Sequence, residues 1–220
     1  MANSSNKASP KKKTSNKSSA HEKTNNFQRI RELSRKQQSV LSLALLERMK
    51  PNYQLFAHVT EFPQPYILDN IANSLWEKLL VKNAKVNFAV MEEKIEELTP
   101  DELDFDVYGV YPAIYYCTGL LTYLNGEQSE EEYDSVAIAK ISQGCIVHLI
   151  EYQAGDIELE NEVIREHELM TAEMSVLTDL IDWLSTTRLK DLDLKSIRSK
   201  ALEIVFADGV TNIGIELESE

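Results

Sequence analysis

The chain has 220 residues, a formal net charge of −13, 43% hydrophobic residues and two cysteines. These totals exclude a disulfide-stapled mini-domain. They also exclude a helical membrane span, because the longest apolar run, Val40 to Leu46, is interrupted by Ser42 and falls well short of the roughly 18 residues a span needs. A globular part of roughly 190 residues buries about 70% of its unfolded surface, so a full core is expected without staples.

The first element in the chain is a tail. Residues 1–26 hold six lysines against one acid, Glu22, and no Val, Ile, Leu or aromatic side chain. Such a stretch cannot bury enough apolar surface to offset its ordering entropy, which predicts a disordered basic tail. It offers at most a weak electrostatic tether to nucleic acid, ribosome or anionic membrane. The remaining residues, 27–220, carry 17 basic and 35 acidic side chains, a net −18. A body that acidic repels phosphate backbones and attracts basic partners.

From Phe27 onward the apolar spacing predicts a single all-α domain, a compact bundle of about eight helices. The expected spans are 27–49, 51–60, 65–82, 86–97, 112–125, 129–153, 156–185 and 193–207. Glycine and proline are read as occurring only where helices start or stop, which separates the first two spans at Pro51. Ile67, Ile71, Leu75 and Leu79 step by four; Phe88, Met91, Ile95 and Leu98 share a face, as do Ile114, Cys117, Leu121 and Leu124. Val163, Met170, Met174, Leu177, Ile181 and Leu184 form the longest stripe, and Leu194, Ile197, Ala201 and Ile204 the last. Thr99-Pro-Asp-Glu102 and Ser129 with Glu132 read as capping boxes. Gly126, Gly155 and Gly209 are expected C-terminal stops, with Asp156 and Asp193 as following N-caps. Ile213-Gly-Ile-Glu-Leu217 alternates, so a short extended C-terminal segment is expected to lie against the bundle.

Chemistry is harder to locate. Cys117 and Cys145 fall inside helical patterns and are expected to be reduced core residues of a cytoplasmic protein. His58, His148 and His167 lack zinc or di-iron spacing, so neither a metal nor a cofactor is expected. His148 and His167 lie on apolar stripes, where a histidine is a hydrogen-bonded boundary residue or a proton-responsive one. No nucleophile elbow, P-loop or dinucleotide fingerprint occurs. Glu158, Glu160, Glu162, Glu166 and Glu168 form an acidic run, which reads as a solvated face or a contact for basic groups.

The densest stretch is Asp104-Phe-Asp-Val-Tyr-Gly-Val-Tyr-Pro-Ala113, preceded by Lys82-Asn-Ala-Lys-Val-Asn-Phe88. Lys82, Lys85, Asp104, Asp106, Tyr108 and Tyr111 form a candidate binding cluster, since lysines, carboxylates and phenols converging on a cleft support acid/base work. The same residues read equally as caps and core at a helix junction.

Together with Glu47-Arg-Met-Lys-Pro-Asn-Tyr53, Trp76-Glu-x-Leu79 and Asn212-Ile-Gly-Ile215, these stretches resemble the YjaG family of bacterial proteins, from about Val40 to Leu217. The resemblance implies a compact all-helical domain and no assigned activity or catalytic residue. Two readings follow. The first is a non-enzymatic interaction or regulatory protein with an acidic surface, suited to a basic protein partner. The second is a small-molecule binder or enzyme built on the Lys/Asp/Tyr cluster. Self-association is left open by the sequence.

Overall fold

The computed structural model of the protein describes residues 25–129 and 135–217. Its helices are α1 (Asn26–Glu32), α2 (Arg35–Thr60), α3 (Tyr66–Leu80), α4 (Phe88–Glu97), α5 (Val110–Gln128), α6 (Val136–Ala154), α7 (Asn161–Glu166), α8 (Glu168–Thr186) and α9 (Leu194–Val205). Short 3-10 turns at Glu102–Asp104 and Leu189–Asp191 join α4 to α5 and α8 to α9. The all-α expectation holds: the β pairing among the described residues is one isolated antiparallel bridge, Val210 with Glu216.

The bundle is organised around α2. Every residue from Gln38 to Met49 is buried, because α3, α5, α6, α8 and α9 pack around this helix from several sides. An α-helix enclosed on all faces carries no polar stripe, and Val40-Leu-Ser-Leu-Ala-Leu-Leu46 has none. At Gly119 of α5 a Cβ would sit 2.6 Å from Leu46 Cδ2, so the glycine leaves room for the Leu46 side chain.

Several boundaries differ from the sequence reading, each for an identifiable reason. Pro51 lies inside α2 rather than between two helices. Loss of one backbone hydrogen bond is outweighed by Asn52, Tyr53, Phe56 and Ala57, all buried beyond it. Gly119 and Gly144 likewise lie within helices, so glycine does not mark only helix ends here. The span expected as 27–49 is divided at Leu33. Ser34 caps α2 with a capping box completed by Gln37, and Leu33 is extended. The span 156–185 is divided too. His167 is extended, its Nδ1 accepts the Leu169 N–H at 3.3 Å, and it caps α8. Asp156 caps no helix, because residues 157–160 are not helical and Glu160 is the N-cap of α7; Val163, placed on the buried stripe, is 52% exposed.

Thr99 does not open a helix; its hydroxyl donates to the Ile95 carbonyl, and Asp101 caps the 3-10 turn. Ser129 ends α5, and Gly126 lies inside it. Glu132, the other half of that expected box, lies outside the described residues, as does most of the 1–26 tail. Asp193 does cap α9, accepting the Ser196 N–H at 2.7 Å, and Gly155 ends α6 at φ +63°. Beyond α9 the chain turns through Gly209 and Gly214, both at positive φ, so that 210–216 folds back over the bundle with Thr211 and Asn212 buried.

Candidate functional site

The stretch Glu47–Tyr53 supplies α2 with polar side chains deep in the core, and each is matched by a partner from elsewhere in the chain. Glu47, 4% exposed, accepts from Trp76 Nε1 at 3.0 Å, from Arg198 Nη2 at 2.8 Å, and from Lys50 Nζ. Arg198 also donates to Asn73 Oδ1 at 2.7 Å and lies over the Trp76 ring. Burial pushes the Glu47 carboxyl up, but Lys50 and Arg198 more than offset it and hold the group below its ordinary range.

Arg48 faces the other way. It is 1% exposed and donates through Nε to Glu173 Oε2 at 3.0 Å and through Nη1 and Nη2 to Asp208 at 2.9 and 2.6 Å. Its remaining capacity goes to the carbonyls of Val205 and Val210. Glu173, 2% exposed, also accepts from Ser142 Oγ, and burial raises its carboxyl above the ordinary value despite the guanidinium beside it. This network ties α2, α6, α8 and the C-terminal loop together. Tyr53 donates to the Leu98 carbonyl at 3.0 Å, fixing α2 to the end of α4.

Asn52 continues the pattern and then breaks it. Its Nδ2 donates to Asn212 Oδ1 at 2.8 Å, and Asn212 Nδ2 reaches the Ser142 carbonyl and hydroxyl at 3.3 and 3.2 Å. Asn52 Oδ1, however, is buried without a donor. Tyr116 Oη is also buried without a partner and Arg198 Nε without an acceptor, and of these three residues Asn52 is the one that lines the cavity described next.

That cavity has a volume of about 270 Å³. From α2 it takes Asn52, Leu55, Phe56 and Val59; from the entry to α5, Val107, Tyr108, Gly109 and Pro112; and from the C-terminal loop, Ile213 and Ile215. Its walls are apolar apart from Asn52 and Tyr108. Leu55, Val59 and Val107 are 44%, 61% and 38% exposed and mark its mouth. Charged chain neighbours of the lining residues are acidic: Asp106 beside Val107 and Glu216 beside Ile215, both exposed, with no Lys or Arg adjacent to any of the ten.

Tyr108 connects the cavity to an aromatic cluster. Its hydroxyl is 3.2 Å from His148 Nδ1, and its ring lies 4.5 Å from Tyr152 and 5.7 Å from Tyr111. Tyr111 packs on His148 at 4.4 Å, and Tyr115 approaches it at 6.1 Å. Burial raises the phenol of Tyr108 well above its ordinary value, so it stays protonated.

Of the six residues proposed from sequence, Tyr108 and Tyr111 therefore meet, and Tyr108 reaches the cavity. Lys82 and Lys85 are exposed between α3 and α4, and Asp104 and Asp106 are exposed ahead of α5. Among the described residues no hydrogen bond or ion pair joins these lysines to these acids. Asn52, Val59 and His148 belong to the site and were not in that set. The only sequence signal for Asn52 was its place in the Glu47–Tyr53 stretch. Both cysteines are buried and unpaired, with their thiols pushed up to about 12 by burial, so neither is a thiolate near neutral pH. Among the described residues no cluster of three or more His, Cys, Asp or Glu is placed to hold a metal. No described helix is long and apolar enough to cross a membrane.

Three of the stretches that carry the family resemblance, 47–53, 104–113 and 212–215, thus meet around one cavity. The protein YjaG of Escherichia coli strain K12, described as uncharacterised, is 35% identical over 188 residues, covering 84% of this chain and 93% of its own length. An uncharacterised protein of Haemophilus influenzae is 32% identical over 189 residues, covering 85% and 94%. The crystal structure of a DUF416 family protein from Shewanella baltica superposes with a TM-score of 0.77 at 32% identity, covering 89% of this chain and all of that one. The model of the family described as "Protein of unknown function (DUF416)" matches residues 25–216, and the chain belongs to that family, together with YjaG.

Proposed function

We propose that the protein acts by binding rather than by catalysis: it is a cytoplasmic interaction protein that accepts an apolar side chain from a basic polypeptide partner. The observation that carries this reading is the cavity mouth. Leu55, Val59 and Val107 leave large apolar surface in water around an apolar hole, and the acidic residues adjacent in the chain to the lining are Asp106 and Glu216. An apolar anchor with basic flanks complements both features. At about 270 Å³ the hole falls just below the range of roughly 300–1,000 Å³ usual for drug-sized ligands, which favours a single side chain.

A second copy of the chain fits poorly, because two bodies of net −18 repel. The lysine-rich residues 1–26 have the complementary charge but no Val, Ile, Leu or aromatic side chain to enter the cavity. The buried, unpaired thiols suit a reducing compartment.

Val59→Lys tests the reading. Val59 is 61% exposed, so the substitution leaves folding intact while placing a cation at the mouth. A basic partner retained by the wild type at low salt and weakened at moderate salt is expected to bind the variant at least tenfold less. Equal retention by both proteins, or retention indifferent to salt, contradicts it.

A further inference from the structure

Beside the cavity, the exposed ring of Tyr152 offers a second subsite on the same surface. The geometry points to arginine as its occupant: a partner segment that seats an apolar side chain in the cavity lays a guanidinium on Tyr152. This inference rests on the binding reading above and names the basic residue which that reading leaves open.

Tyr152 lies on α6 and is 59% exposed. Its ring meets that of Tyr108 at 4.5 Å, and Tyr108 in turn lines the cavity. One side chain thus belongs to both the cavity wall and the ring cluster, so a single short segment of a partner reaches both. Tyr111 and His148 pack behind it, with His148 Nδ1 at 3.2 Å from the Tyr108 hydroxyl and its ring at 4.4 Å from that of Tyr111. Tyr152 is therefore backed by packed rings, and the surface it leaves in water is aromatic.

An aromatic face attracts a cation, and the chain supplies none here. The segments that build the cavity and the ring cluster, 51–77, 95–139, 141–164 and 201–220, contain no Lys or Arg. Lys140, which falls between two of them, lies over Phe27, and Arg198 lies over Trp76. Carboxylates are present instead. Glu151 precedes Tyr152 and is exposed. Burial raises the Tyr115 phenol and the charge of Glu151 adds to the rise, so that carboxylate stands near the same rings. Between the two basic side chains, guanidinium fits better. It is planar and weakly hydrated, stacks on a ring, and keeps N–H groups free for a neighbouring carboxylate, whereas an ammonium holds its water more tightly.

Selection of a phage-displayed random peptide library on the full chain tests the inference. Selected sequences are expected to carry an apolar residue with an arginine close by, and to be lost on Val59→Lys. One such peptide is then synthesised with its arginine and with lysine in its place, and both are titrated by fluorescence anisotropy. The wild type is expected to prefer arginine about fivefold. Tyr152→Leu, at an exposed position that leaves folding intact, is expected to show no preference, and Tyr152→Phe, which keeps the ring, to retain it. An equal cost of lysine on wild type and Tyr152→Leu overturns the inference, as do selected sequences without arginine. If those sequences still depend on Val59, the cavity reading stands without this one. A selection that yields no sequence dependent on Val59 overturns both.

Discussion

Replacing Arg48 by Met is expected to destabilise the protein by about 3–5 kcal/mol, because it leaves Glu173 ionised and buried with its cation gone. The shape of the side chain is largely retained, so the loss reports on charge rather than on a cavity. The effect should depend on pH with a definite sign. Burial already raises the Glu173 carboxyl in the folded protein, and the guanidinium, with the Ser142 hydroxyl, opposes that rise. Without it the folded-state value climbs further above that of the unfolded chain. Between those two values the folded protein holds a proton that the unfolded chain has released, so stability falls as pH rises through that window. The variant should therefore lie closer to wild type at pH 5 than at pH 8 in urea unfolding. Arg48→Met with Glu173→Leu should be less destabilised than the sum of the single changes, since no unpaired buried charge remains on α8. Asp208, part-exposed at 32%, keeps its solvent and tolerates the loss.

Trp76→Ala is expected to cost about 3–5 kcal/mol, lowering Tm by on the order of 10 °C. Trp76 is 1% exposed and among the largest side chains wholly inside the core. Its removal leaves a void between α2, α3 and α9, takes an N–H from Glu47, and strips the ring from beneath Arg198. Trp76→Phe separates these contributions. It keeps most of the packing and the face for Arg198, and loses the indole donor, while Glu47 retains Lys50 and Arg198. A cost of about 1–2 kcal/mol is expected for it. Thermal unfolding of the two variants side by side would distinguish packing from the hydrogen bond.

These two networks explain what the Glu47–Tyr53 stretch does for the fold. Glu47 pins α3 and α9 to α2, Arg48 pins α8 and the C-terminal loop, and Tyr53 pins the end of α4. Their polar atoms answer one another inside the protein, Arg198 Nε excepted. Asn52 likewise has one atom answered and one not, and it lines the cavity beside the C-terminal loop.

Much of the architecture was legible in the sequence. α3, α4 and α9 follow their apolar stripes to within about two residues, the agreement expected when one face of a helix meets the core. Asp193 and Gly155 acted as their chemistry dictates. What local pattern could not supply was tertiary compensation. Pro51 reads as a stop, yet α2 passes through it because the turns on both sides are buried. His167 reads as part of a stripe, yet it caps a new helix with its ring nitrogen.

The site was legible only in part. Tyr108 and Tyr111 stood out as a dense junction, and the structure adds His148 from α6 to them. The partner of Asn52, Asn212, lies in the C-terminal loop 160 positions away, and no periodicity in α2 points to it. Lys82 and Lys85 suggested a cluster by proximity in sequence to acids that the fold leaves separately solvated.

The most direct test of the binding account is a short aliphatic photo-reactive residue placed at Val59 in cells, where it leaves the cavity mouth open, with cross-linked peptides identified by mass spectrometry. The account predicts cross-links to one polypeptide, at a basic segment carrying an aromatic or aliphatic anchor, and their absence when the same probe replaces Leu192, which is 41% exposed but does not line the cavity. Cross-links of equal yield from both positions, or none from Val59, would contradict it.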